Sequence, residues 1–160
     1  MTLTFHVVSG AALGTVIGNP VAGFLLGIAS HLLLDIIPHG DTGMANKYEN
    51  KTNKTAQSVA KAYVSIDAAI GIMVLAILSA VLPPALTDLT YSLTIMGAIL
   101  PDLLVGLAEL FKRSVVLRKI KTGHFVFHNL ISKRFGDIPL SLGLSLQLVA
   151  MIIIFDRILF

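Results

Sequence analysis

His31 and Asp35 stand four residues apart in "SHLLLDIIPHGD", residues 30–41, at the end of a run of apolar residues. Four-residue spacing puts both on one helix face. Pro38 ends that helix, and His39 and Asp41 follow in the turn. Imidazole and carboxylate groups are costly in an apolar segment unless they pair or bind something. Together they make a ligand set for a divalent metal, with zinc first and manganese, nickel or iron as alternatives. A bound metal would lower the pKa of its water and polarise a phosphoryl or carbonyl oxygen.

Further groups of the same type recur along the chain. His6 opens the first apolar segment, Asp67 lies early in the third, and Asp102 follows Pro101 in the fourth. His124 and His128 are again four apart. The expected metal ligands are His6, His31, Asp35, His39, Asp102 and His128. The expected acid–base groups are Asp35, Asp41 and Asp67. Each has a plain alternative. His31 and Asp35 form a simple pair, Asp67 pairs with Lys61 or Ser65, and His124 and His128 sit at headgroup level. Glu109 reads as a surface carboxylate, and Asp88, Asp137 and Asp156 as helix-end residues.

The elements that must position these groups are membrane spans. The chain has 160 residues, 55% of them hydrophobic and 13% charged, with a mean hydropathy of +0.85. That composition excludes disorder and argues for an all-α, polytopic integral membrane protein forming one domain over residues 1–160. With no cysteine, neither a disulfide framework nor a thiolate ligand is available. The N-terminus has no Lys or Arg before the first apolar run, unlike a secretory signal, and is read as part of the fold. Five apolar segments are expected to span: 4–17, 21–37, 59–82, 86–111 and 138–160. Gly10, Gly14 and Gly18 on the first, and Gly23 and Gly27 on the second, predict close packing of these two as a hairpin. Pro101 predicts a bend that turns Asp102 inward. Residues 112–137, with Phe125, Phe127, Leu130, Ile131 and Phe135 among basic residues, predict an amphipathic helix at the membrane interface.

All of the 12 basic residues but Arg157 then fall on one side with the two long loops. The positive-inside rule makes that side cytoplasmic, and puts all five histidines with Asp35, Asp67 and Asp102 in the cytoplasmic half. The expected location is a prokaryotic inner membrane. The expected partners are membrane lipids with anionic headgroups, not nucleic acid.

At "GIASHLLLDIIPHGD" and "GAILPDLL" the chain resembles the membrane-bound metal-dependent hydrolases, relatives of zinc-dependent phospholipase C. The shared features are an early His opening the first helix (His6), the "SHLLLD" helix end (His31 and Asp35) and the apolar "LPD" helix (Asp102). The resemblance implies a polytopic helical protein with a divalent metal and phosphoester hydrolysis. The chain departs from that family's pattern in having Leu104 where a second Asp is common. It also has "HFVFHN" in place of an "HRGxTHS" motif, and its motifs run in a different order. Other functions compatible with buried His and Asp are a metal or proton transporter, a non-covalent haem protein and a non-catalytic membrane scaffold.

Overall fold

The computed structural model describes residues 1–50, 52–82 and 88–159. Over these the chain is all-helical: α1 (Leu3–Val16), α2 (Pro20–Ile36), α3 (Thr42–Glu49), α4 (Lys54–Val81), α5 (Leu89–Leu110), α6 (Val115–His128), α7 (Ser132–Phe135) and α8 (Leu140–Leu159). The expected stop at Pro83-Pro84 lies outside the described residues, as does Phe160.

The starts of these helices follow from side chains that cap orphan backbone N–H groups. Thr2 accepts from Phe5 N, Asn53 from Ala56 N, Asp88 from Thr90 N and Tyr91 N, and Ser114 from Leu117 N. Asn19 accepts from Val21 N and Ala22 N. Pro20, at the first helical position of α2, has a preset φ and no N–H to satisfy.

Three helices are long and apolar enough to cross a membrane: α4, α5 and α8. Their outward faces carry exposed apolar side chains such as Ile72, Met73 and Ile77 on α4 and Leu146, Ile152 and Ile153 on α8. An apolar exterior of this extent is consistent with a lipid-facing surface. The other two apolar helices are shorter. With 14 and 17 residues, α1 and α2 reach only about 21 and 26 Å. α1 is the central element, buried from Thr4 through Ala11 on all sides. Leu78 of α4 and Tyr91 and Ile95 of α5 close around its Ala11.

The glycines do not join α1 to α2 as the hairpin reading expected. Both rows turn onto α5. A Cβ on Gly10 or Gly14 would meet Ala98, Ile95 or Tyr91, and one on Gly23 or Gly27 would meet Thr90, Thr94 or Ala98. α5 answers with its own small residue. A Cβ on Gly97 would collide with the Phe24 carbonyl of α2. Helices in lipid associate where small residues let backbones approach, and here the complementary small surface is "TIMGA" of α5 rather than the neighbouring hairpin helix. Gly18, the last of the first row, has open space beside it.

α5 continues through Pro101 as one helix. α6 falls in the stretch expected to form the amphipathic helix; it packs on α5 and α2 and buries His124 and His128. The turn at 37–40 is closed from the other side by the start of α8. Gly40 has φ 88°, a conformation glycine tolerates best. Asp137 accepts from Gly40 N (2.8 Å), Thr42 N (3.1 Å) and Ile138 N (2.9 Å). Its role is thus to tie two loops together, beyond ending a helix. Glu109 likewise does more than cover the surface: it pairs with Lys121 of α6 and accepts from Tyr48 Oη of α3 (3.0 Å).

Candidate metal centre

Three helices and one turn bring the five histidines into a continuous chain of ring contacts. His6 of α1 stacks on His31 of α2 with centroids 3.9 Å apart. His31 lies 5.3 Å from His124, His124 5.7 Å from His128, and His128 4.9 Å from His39. Asp35 runs alongside this chain and is 1% exposed, with His6 and His31 at 0%.

The orientation of His31 is fixed by the backbone of α5. Its Nδ1 donates to the Ala98 carbonyl at 2.8 Å. A carbonyl only accepts, so Nδ1 carries a proton, which leaves Nε2 as the nitrogen free to ligate. Nε2 points at Asp35 Oδ2 (3.2 Å) and Asp102 Oδ1 (3.8 Å). His124 Nε2 approaches the same two oxygens, at 3.6 and 3.8 Å. His31, Asp35, Asp102 and His124 thus offer ligand atoms all within 4.8 Å of one another. With zinc–nitrogen and zinc–oxygen bonds near 2.0–2.1 Å, the edge of a tetrahedral site is roughly 3.3 Å. The four His–Asp spacings of 3.2–3.8 Å lie close to that edge, and all the ligand atoms fall within 4.8 Å.

A second group shares Asp35. Asp35, His39 and His128 also lie within ligand reach of one another. His39 is set as His31 is: Nδ1 donates to a backbone carbonyl, that of Ile37, at 2.6 Å. Its Nε2 faces Asp41 Oδ2 at 3.1 Å, as does His128 Nε2, also at 3.1 Å. These buried His/Asp groups are able to hold a metal ion.

The charge states outside the helical spans agree with ligand chemistry at His124 and Asp41 and run against it at His128. Burial pushes the His124 imidazole down to about 4, the carboxylates of Asp102 and Asp35 opposing, so the ring is neutral at pH 7. Burial opposes ionisation of Asp41, but its hydrogen bonds to His128 and His39 hold it below the usual carboxylate range. For His128 burial favours the neutral form, yet Asp41 draws the ring above its ordinary value.

Of the expected residues, the structure gathers His31, Asp35 and Asp102 in the first group and His39 and His128 with Asp35 in the second. His6 backs Asp35 instead, donating from Nε2 to Oδ1 at 3.0 Å, where the amino group of Met1 also bonds. Asp41 bridges two ring nitrogens at the edge of the second group. Asp67 is placed apart from both. Its oxygens accept from Leu3 N (2.6 Å), Thr4 N (3.2 Å) and Thr4 Oγ1 (2.7 Å), capping the start of α1. The residue that sequence reasoning left out of the ligand set is His124. The available signal was its four-residue spacing from His128, which puts both on one face of α6.

The placement of Asp67 has a measurable consequence. Asp67→Ala is expected to destabilise the protein by about 2 kcal/mol, since hydrogen bonds to a charged group contribute roughly 1.5–3 kcal/mol, while metal content is unchanged. Thermal unfolding in detergent, with metal analysis of the same sample, checks both.

Compared with models of known families, with curated proteins and with solved structures, the chain matches none.

Proposed function

We propose that the protein is a membrane-embedded, metal-dependent hydrolase that cleaves a phosphoester, with a lipid as the natural substrate and the site on the cytoplasmic side of a prokaryotic inner membrane. The observation that carries the reading is the meeting of acceptors at His31 Nε2. With Nδ1 committed to Ala98, this nitrogen and Asp35 Oδ2 are buried and make no hydrogen bond among the described residues. A lone pair held against two carboxylates is relieved by a positive charge between them, a proton or a metal ion. A divalent cation supplies it with the donor set that zinc prefers.

His31, Asp35, Asp102 and His124 hold one ion, and Asp35, His39 and His128 a second. Bound metal supplies Lewis-acid polarisation of the phosphoryl oxygen and a more acidic water. The chain's own groups do the rest. Asp41, whose Oδ2 lies 3.1 Å from the ring nitrogens of His39 and His128, is placed beside the second group to take a proton at a carboxylate oxygen. Water oxygen bonds to phosphorus, the ester P–O bond breaks, and the departing alcohol oxygen gains a proton. Hydrolysis is favoured over transport because the ligand groups gather at one end of the bundle. A haem is disfavoured because the histidine rings pack directly against their neighbours in a chain rather than in pairs facing across a gap. The resemblance at "SHLLLD" and "LPD" points the same way, and on a five-span reading with the basic loops inside, the site would lie at headgroup depth.

The test is elemental analysis of protein purified without a histidine tag, followed by phospholipid hydrolysis. One or two equivalents of zinc, manganese, nickel or iron per chain are expected. Hydrolysis should stop on chelation and return with metal. Protein that arrives metal-free and takes up none of these ions would overturn the reading.

A further inference from the structure

The second ligand group opens onto a crevice of about 730 Å³ between α3 and α6–α7. His128 and Asp41 form its inner wall, and Arg118, Lys133 and Phe125 line it farther out. Its charges are unevenly committed. Asp41 is held by two histidines, Asp137 by three backbone N–H groups, and Lys121 by Glu109. Arg118 and Lys133 have no ion pair among the described residues, and Glu49 is the lining acid left without one. At the inner end His128 is 8% exposed, and its Nδ1 is buried without a hydrogen-bond partner. The crevice therefore joins two uncommitted cations to an unsatisfied polar atom beside the candidate metal group.

We propose that this crevice binds an anionic phosphate group, with Arg118 and Lys133 pairing with its oxygens and so presenting it to the His39–Asp41–His128 end of the centre. Guanidinium and ammonium groups suit phosphate oxygens, Arg in bidentate fashion. Phe125 gives the outer wall an apolar surface for the part of a lipid next to its head. The inference deepens the hydrolase reading by assigning the charge class of its substrate. It does not require metal, because both cations belong to the chain.

The test is equilibrium binding to detergent-solubilised protein, metal-free and zinc-loaded, of three probes: dihexanoyl-phosphatidylglycerol, dihexanoyl-phosphatidylcholine and inorganic phosphate. The anionic lipid is expected to bind about tenfold more tightly than the zwitterionic one, equivalent to about 1.4 kcal/mol. The double variant Arg118→Gln/Lys133→Gln should erase that preference with unchanged thermal stability, since both side chains are exposed. Lys47→Gln, an exposed cation outside the crevice, should keep it. Inorganic phosphate binding as tightly as the anionic lipid would identify free phosphate as the ligand, with the same two cations responsible. Equal binding of the two lipids, a preference that survives the double variant, or an equal loss in Lys47→Gln would overturn the inference. If the preference holds in protein that takes up no metal, the crevice stands and the hydrolase reading falls.

Discussion

Asp35→Asn is expected to remove both metal equivalents at once. Asp35 belongs to both ligand groups, whereas His31 and His124 serve one and His39 and His128 the other. Even outer hydrogen-bonding partners of a metal typically cost 10–100-fold in affinity when removed, so loss of a shared charged ligand should exceed about 100-fold at each position. Phosphoester hydrolysis should fall by at least as much. The amide keeps the shape of the carboxylate, but it gives up the charge that His6 and the Met1 amino group meet. Removing one member of a buried ion pair costs about 3–5 kcal/mol, so the variant should also unfold at a lower temperature. His128→Ala separates the two effects: it should lose one equivalent and keep the other. Metal titration of the three proteins side by side checks this. Asp35→Asn with both equivalents intact would show that Asp35 is not shared.

His124→Ala is expected to be as damaging as His31→Ala. Both imidazoles direct Nε2 at Asp35 Oδ2 and Asp102 Oδ1, at 3.2–3.8 Å. Either loss leaves three ligands and one uncompensated carboxylate oxygen. Each variant should bind the first ion at least about 100-fold more weakly and lose several kcal/mol of transition-state stabilisation in hydrolysis. Metal affinity and kcat/KM measured together provide the check. If His124→Ala retains wild-type affinity while His31→Ala does not, α6 covers the centre without ligating it.

His124 also shows where sequence reasoning reaches its limit. The meeting of His31, Asp35 and Asp102 was legible, because they stand inside apolar segments where a polar group needs a partner. The helix starts at Asn19-Pro20 and Ser114 rest on local chemistry, since each cap is complete within a few residues. The order of His124 and His128 was not, because it depends on how α6 rotates as it docks on α2 and α5. Asp67 was misleading for a related reason. A carboxylate in an apolar helix looks functional, yet its partners are N–H groups 63 and 64 residues away, and nothing near Asp67 encodes them. The glycine rows announced close packing, but a spacing of small residues carries no address, and the address proved to be Gly97 and Ala98 of α5.

That address has a consequence for the order of synthesis. α1 and α2 leave the ribosome with their glycine rows and His6, His31 and Asp35 already in place, but the surface that receives them arrives far later. Ala98, which fixes the His31 ring, is 67 residues downstream, and His124 comes later still. Until α5 emerges, the first two helices have no docking partner for their small-residue faces, and both are too short to span a bilayer upright. The nascent chain must therefore shelter two polar-bearing, under-length helices while α3 and α4 are made. Release of the chain before α5 would strand them, so premature termination upstream of residue 89 should yield a fragment that is degraded rather than a smaller stable bundle.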